Sequence, residues 1–392
     1  MIIMNKFKYY FVLLLAGLAI VSCNKKDDDE VVVVPLRDYA VQYKADNDSI
    51  EKYLKTNYIT VTENYDVTIA KIPAGGTQTS IWDQQEYPLR IRPVSSRGVD
   101  YKVYYLSFRE GVGERPCNFD EITVSYTGTF LDNKQFDSSY GVERNFNLDI
   151  YVTAPIIDGW PEIMPQFRVG TRNATGIDGS FTYDGYGAGV MFLPSGLAYY
   201  GNPPAGIPQY APLVFSFKLL ALKRSDLEYN ASTQTKVGDG VPSYLEDLNG
   251  DGYLYDPRDT ARYPTLSDDK IEDTDKDGIP DFLDFDDDGD GYTTRFELTK
   301  PTDQIGWGTL DGTSFYFGIR NYYPWDPMTD DTNTPNVDET EPRGIPRRPT
   351  GKLKDENATE SIDNPRSFVP EDYTAPGRLR IHLDKTYPYQ KK

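Results

Sequence analysis

The sequence predicts an α+β chain: a helix, then antiparallel strands with room for one short helix, then an irregular acidic segment. Three observations carry this. From Leu36, apolar residues fall at Leu36, Ala40, Tyr43, Ile50 and Leu54, the three-four-seven spacing of one helix face. Between about 100 and 222 the period drops to two. Ile122, Val124 and Tyr126 share one side of "ITVSYTGTF"; Leu213, Phe215, Phe217 and Leu219 share one side of "LVFSFKLLAL", with Ser216 and Lys218 opposite. Such alternation marks half-buried antiparallel strands. From 238 to 297 there are 19 acidic against 5 basic residues, and "GDGVPSYLEDLNGDGYL" returns as "KDGIPDFLDFDDDGDGYT".

At the start, Lys6 and Lys8 precede the apolar run "YYFVLLLAGLAIV", too short and too early for a membrane span. It ends in "IVSC", which resembles the bacterial lipobox. That resemblance implies a signal peptide over 1–22, cleavage before Cys23, and lipidation of Cys23. The chain would then be an outer-membrane lipoprotein on the periplasmic or cell-surface face. The acidic tether 23–35 contains "NKKDDDE", similar to the export tag of some surface lipoproteins. Residues 36–99 read as the helix, interrupted near Asp46–Asp48, followed by strands and loops around "PAGG" and "SSRG".

Composition excludes several chemistries. A net charge of -20 argues against nucleic acid as a partner, because phosphate binding needs clustered Lys and Arg. His382 is the one histidine, so neither a Ser-His-Asp nor a Cys-His arrangement nor a zinc cluster is expected. Cys117 reads as a packed core residue. The chain nevertheless has 31 Tyr and 18 Phe, ample for an aromatic pocket.

Residues 100–224 hold five motifs in order: "VSYTGTF", "FDSS", "IIDGW", "LPSGLAYYG" and "GIPQYAPLVFSFKLL". Together they resemble the FKBP family of peptidyl-prolyl isomerases. The resemblance implies an antiparallel sheet wrapped on a short helix. It implies a pocket of Tyr126, Phe136, Asp137, Phe146, Ile156, Ile157, Trp160, Tyr200, Ile207 and Phe215, and proline-containing polypeptide clients. Trp160 would be the floor, Phe136, Phe146 and Phe215 the walls. Asp137 would face the substrate carbonyl carbon or orient Tyr126. Tyr200 and the Ile157 N–H would donate to substrate carbonyls, with Tyr199 the alternative because "LAYYG" carries one more tyrosine than the usual "LAYG". Val142 stands where many members carry Arg, with Arg144 off register. Pro165 limits the helix after Trp160 to about one turn, and 171–190 is longer than the family's hairpin. The chemistry suits the residues present, since rotation about an X–Pro bond needs a desolvated pocket and no nucleophile.

The acidic repeats, 238–300, follow a hard-cation pattern. Asp273, Asp275 and Asp277 hold positions 1, 3 and 5, with Gly278 next and Asp281 and Asp284 at 9 and 12. Asp286, Asp288 and Asp290 begin a second copy that closes at Glu297, fitting the D-x-D-x-D-G-x5-E loop for calcium. Asp247, Asn249 and Asp251 form a partial copy, with Arg258 at the closing position. Pro242 and Pro280 argue against EF-hand helices, and the spacing resembles thrombospondin type 3-like calcium repeats. Calcium is expected in a structural role only. Residues 301–392 read as an irregular tail with a final strand near "RLRIHL". The alternatives are a low-activity binding module of the same fold and a calcium-dependent surface interaction protein.

Overall fold

Helix α1 (Tyr39–Thr56) starts where the Asp38 carboxylate accepts from the Val41 N–H at 2.9 Å and ends at Asn57. It runs unbroken through Asp46–Asp48, against the expected interruption. The buried stripe is Gln42, Asp46, Ile50, Tyr53 and Leu54, while Ala40 is exposed and Leu36 precedes the helix. Asp46 does not break the helix because its carboxylate is fully used, accepting from Gln42 and from Ser195.

This computed structural model describes residues 35–152, 155–173, 182–226, 228–230, 235–310, 313–330 and 338–388. The leader, the Cys23 motif, nearly all of the tether and residues 174–181 of the expected insertion lie outside them. Met1–Arg37 is one unit, of which only 35–37 are described; Asp38–Lys392 is the other.

A hairpin, β1 (Asn57–Val61) with β2 (Val67–Lys71), follows α1. The main sheet comprises β3 (Arg90–Ser96), β4 (Val99–Arg109), β5 (Glu121–Phe130), β6 (Gln135–Ser138), β7 (Arg144–Asn147), β10 (Gly187–Leu193) and β11 (Leu213–Lys223). Its antiparallel order is β3-β4-β10-β11-β5-β6, with β7 also on β5. The sheet therefore begins at Arg90, ahead of the boundary expected at 100. Helix α2 (Gly159–Ile163) runs into a 3-10 turn at Met164–Gln166. A small hairpin, β8 (Thr171–Arg172) with β9 (Tyr183–Asp184), precedes β10. Gly187–Val190, counted in the expected insertion, are core strand.

Both sheet faces are covered, which the alternating pattern did not indicate. One face packs Tyr101, Val103, Tyr105, Met191, Leu193, Phe215 and Phe217 on Trp160, Ile163 and Phe167. The other packs Tyr104, Leu106, Val190, Phe192 and Val214 under Ile50, Tyr53 and Leu54 of α1 and Ile59 and Ile69 of the β1–β2 hairpin. β10 is consequently buried along its whole length. Burying each such aliphatic side chain contributes about 1.5–3 kcal/mol.

The acidic segment is not coreless. Phe282, Leu283 and Leu254 pack on Cys117 and Phe119, confirming Cys117 as a packed residue whose thiol pKa burial pushes up. Tyr253 lies under the Arg92 guanidinium and donates to the Glu162 carbonyl at 2.8 Å. Beyond β12 (Glu228–Asn230), β13 (Thr235–Val237) and helix α3 (Thr294–Glu297), the chain is mostly irregular. Its regular pieces include a hairpin of β14 (Trp307–Leu310) and β15 (Thr313–Tyr316). Yet Val241, Leu298, Tyr323, Ile345, Tyr373 and Ile381 form a core of their own, beside a buried Lys300–Glu341 ion pair. The final strand expected near "RLRIHL" is instead a single bridge at Arg380 and a 3-10 turn, Ile381–Leu383. His382 is buried there against the Trp325 ring, and burial lowers its pKa to about 3.

Candidate functional site

Register assembles the aromatic site. On β5, Gly128 pairs with Phe215 on one side and Asp137 on the other, and Ile122 pairs with Phe146. Gly128 is needed because a Cβ there would lie 2.7 Å from Phe136 Cζ and 2.9 Å from Phe215 Cε1. Trp160, on the first turn of α2, is 2% exposed and lies beneath the rings. Its centroid is 5.0 Å from Phe146, 5.3 Å from Phe215 and 5.7 Å from Tyr126, mostly edge-on. Phe136 stands edge-on to Phe215 at 5.6 Å. Ile156 and Ile207 border the same cluster, half-buried.

Polar groups are few. The Tyr126 hydroxyl donates to Asp137 Oδ2 at 2.7 Å, and the Ser138 N–H donates to Oδ1 at 2.8 Å. Burial and the Asp137 carboxylate together raise the Tyr126 pKa, so its proton stays on the phenol. The Ile157 N–H has no partner among the described residues, while its carbonyl accepts from Trp160 at 3.1 Å. An apolar floor, ring walls and a pinned phenol–carboxylate pair can hold and dehydrate a planar apolar group. They offer no base poised to activate a nucleophile.

Nine of the ten expected residues converge here. Tyr200 does not: it has a left-handed φ of 50° and stacks on Tyr39 of α1 at 4.1 Å. Tyr210 closes on it from the side at 4.9 Å, and burial raises the Tyr200 pKa to about 12. It is Tyr199 that borders the ring cluster and feels the Asp137 charge. The added tyrosine supplies a ring for α1 and leaves its neighbour to the pocket. Arg144 lies close enough to act electrostatically on Tyr126.

The three acidic loops share one backbone shape. Positions 4 and 6 have left-handed φ in each: Gly250 and Gly252 (73° and 87°), Lys276 and Gly278 (67° and 98°), Gly289 and Gly291 (69° and 91°). The first carboxylate accepts from the N–H of position 6: Asp247 from Gly252 at 2.6 Å, Asp273 from Gly278 at 3.0 Å, Asp286 from Gly291 at 2.9 Å. Carboxylate oxygens of Asp273, Asp275 and Asp277 lie within 4.8 Å of one another, as do those of Asp286, Asp288 and Asp290.

Glu297 reaches the last loop from α3. It is buried, with Oε1 lacking a hydrogen bond, and burial plus the loop carboxylates raise its pKa to about 10. Orphaned buried oxygens on Asp286, Asp288 and Glu297, with the Asp290 carboxylate beside the first two, fit an all-oxygen cation. Asp284 lies near Asp275 and Asp277 with its pKa raised to about 6, first by burial. Asp281 is turned to Thr274 instead, accepting from its N–H and hydroxyl, both at 2.7 Å.

In the first loop, Arg258 pairs with Asp256 and is not the closing group. Glu272 reaches this loop from outside it. It is buried, contacts Asn249 at 2.6 Å, and has its pKa raised to about 8 by burial and by Asp247 and Asp251. Sequence spacing missed it because Glu272 lies beyond the twelve-residue window, just ahead of the next loop.

Comparison with known proteins gives two family matches. The model for FKBP-type peptidyl-prolyl cis-trans isomerases matches residues 113–220, and that described as BamM C-terminal matches 237–336. Escherichia coli FkpA, an FKBP-type isomerase, is 33% identical over 131 residues, covering 33% of this chain and 39% of FkpA. Its crystal structure aligns at 24% identity with a TM-score of 0.28, covering 47% of this chain and 61% of that one. FK506-binding protein 1A of Aspergillus fumigatus is 33% identical over 108 residues, 27% of this chain and 81% of that protein. Outer membrane protein MIP of Legionella longbeachae is 27% identical over 129 residues, 33% of this chain and 46% of MIP. The chain thus spans about two fifths of the length of the FkpA it matches.

Proposed function

The chain belongs to the FKBP-type peptidyl-prolyl cis-trans isomerase family, and from that premise we propose an active prolyl isomerase, lipid-anchored through Cys23, with calcium-binding repeats. The observation that carries the activity is the Tyr126–Asp137 hydrogen bond at the rim of rings resting on Trp160. Peptide C–N rotation faces a barrier of about 18–20 kcal/mol, because the planar amide is held by resonance. A site lowers it by holding the twisted amide better than either planar form. The proline ring lies on Trp160 between Phe136, Phe146 and Phe215. The preceding carbonyl leaves water for the rim, where the Ile157 N–H and the Tyr199 hydroxyl are the donors. Asp137 orients Tyr126 and keeps its ring standing as a wall.

Calcium at the loops would neutralise the carboxylates and stiffen the segment, with no part in the rotation. Cys23 and the envelope naming of MIP support an outer-membrane lipoprotein acting on proline-containing exported polypeptides. A protease-coupled isomerisation assay on the full chain tests the activity. Because α1 and the acidic segment pack on the sheet, residues 100–224 alone are not the right sample. Wild type should accelerate a Xaa–Pro peptide in calcium, and Trp160→Leu should lower kcat/KM at least tenfold. A folded wild type with no rate above background overturns the reading, and peptide binding without turnover would leave the low-activity binding module.

A further inference from the structure

Apart from the alternating loop positions, a second group of acids converges in the interior. Asp226 and Glu228 follow β11 at the end of the main sheet. Asp239 follows β13, Glu246 lies in the turn before the first loop, and Asp287 sits at position 2 of the last loop, where its side chain serves no loop pattern. Oxygens of Asp226, Glu228 and Asp239 lie within 4.8 Å of one another, and so do those of Asp239, Glu246 and Asp287. The two triads share Asp239.

Four of the five are at most 3% exposed: Glu228 0%, Asp239 1%, Asp287 2% and Glu246 3%. Both carboxylate oxygens of Glu246 are buried without a hydrogen-bond partner. Those of Glu228 and Asp287 lack a close one, although the Asp239 N–H acts on Glu228 and the Thr294 hydroxyl on Asp287, and Asp226 Oδ1 and Asp239 Oδ2 are orphaned too. Gly238 leaves room for this approach, since a Cβ there would lie 2.6 Å from Asp226 Cγ. Arg295 is the cation that acts on Asp226 and Asp239, and its guanidinium reaches the Gly238 carbonyl at 3.4 Å. One guanidinium does not balance five carboxylates.

Burying an isolated carboxylate is costly enough that the group takes up a proton or finds a cation. A proton shared between two neighbouring carboxylates would settle that pair, but five converging carboxylates with one guanidinium leave further buried oxygens without a donor. A hard cation wanting six to eight oxygens takes up several of them at once. Magnesium prefers fewer protein ligands and keeps its waters, so the crowded, buried donor set selects calcium.

We propose that Asp226, Glu228, Asp239, Glu246 and Asp287 form a buried calcium site, distinct from the loops, that clamps the end of the isomerase sheet to both acidic repeats. The five come from four separate stretches of chain, so an ion here fastens the segment to the sheet, whereas each loop ion orders its own turn. The site does not rest on the loop reading. Burial first, and then the neighbouring carboxylates, raise the pKa values of Glu228 and Asp239, and an ion would relieve that cost.

The test counts calcium on the full chain by native mass spectrometry after EDTA treatment and calcium titration. Three proteins are compared: wild type, E228Q/E246Q, and the loop variant D286N/D288N/D290N. The double variant should bind at least one ion fewer than wild type. In EDTA it should melt at or above the wild-type temperature, because it removes buried charge. The loop variant should lose a different ion and keep this one. An unchanged ion count in E228Q/E246Q overturns the proposal. So does a fall in its EDTA melting temperature as large as the fall in calcium, which would make the carboxyls hydrogen-bonding structure. If the loop variant keeps every ion while E228Q/E246Q loses one, the loop reading fails and this one stands.

Discussion

Replacing Asp46 by Ala should unfasten the pocket loop from α1. Asp46 is 2% exposed and accepts from the Ser195 N–H at 2.8 Å, the Ser195 hydroxyl at 2.6 Å and Gln42 Nε2 at 2.7 Å. Hydrogen bonds to a charged group contribute about 1.5–3 kcal/mol each, and three donors would be left buried. Relief of the buried charge and entry of water offset part of the loss, so the expected destabilisation is about 3–5 kcal/mol. Ser195 opens the 3-10 turn Ser195–Leu197 and its carbonyl accepts from Ala198 and Tyr200, so the same change frees the segment carrying Tyr199. Urea unfolding should show a lower midpoint at unchanged slope, and the coupled assay a reduced kcat/KM. Asp46→Asn should fall between, because its amide keeps one acceptor and sets a donor against Ser195 or Gln42. A loss under about 1 kcal/mol for Asp46→Ala would refute the argument, since less than one charged hydrogen bond would then be at stake.

Gly128→Ala should destabilise by about 1–3 kcal/mol through overpacking against Phe136 and Phe215 and reduce isomerisation, read by urea unfolding and the coupled assay. Lys300→Met leaves Glu341 buried and uncompensated and should cost about 3–5 kcal/mol by thermal unfolding, whereas K300M/E341L should recover most of it. The calcium-free acidic segment should gain stability as pH falls from 8 to 5. Asp284, Asp288 and Glu272 have pKa values raised to about 6, 7 and 8, so the unfolded chain binds fewer protons in that window. Saturating calcium should reverse the trend, because protons compete with the ion; EDTA melting that falls between pH 8 and 5 would contradict the shifts.

Much of the ring site was legible because strand alternation and short motifs fix which residues share a face. Trp160, Tyr126 and Phe215 meet for that reason. Features that depend on a partner distant in sequence were not legible. Asp46 reads as a helix breaker until Ser195, far along the chain, supplies its donors. The second covered face of β10 depends on α1, and an all-buried strand carries no alternation to detect. Which of Tyr199 and Tyr200 faces the pocket is decided by Tyr39 stacking on the second. Glu272 and Glu246 were passed over because they lie outside the twelve-residue windows, and Asp287 because it falls at position 2, between the alternating loop positions; tertiary folding brings each to its neighbours. The tail read as irregular because its core residues, such as Val241, Tyr323 and Ile381, have no common period.

These partners explain how so short a helix can form the floor of a site. Helix α2 has five residues, one of them Pro161, and an isolated helix of that length is not stable in water. From above, Trp160 is gripped by Tyr126, Phe146 and Phe215. The acidic segment holds the rest of the helix and the turn after it: the Tyr253 hydroxyl donates to the Glu162 carbonyl and accepts from Gln166, both at 2.8 Å. Arg92 spans the Tyr253 ring and the Glu162 carboxylate. Tyr253 follows directly on Gly252 of the first acidic loop, and its own N–H is held by Asp251 at 2.8 Å. The backbone that shapes the loop thus also positions the ring that supports the pocket floor. The acidic segment is therefore part of the scaffold of the aromatic site, although none of its carboxylates belongs to the ring cluster.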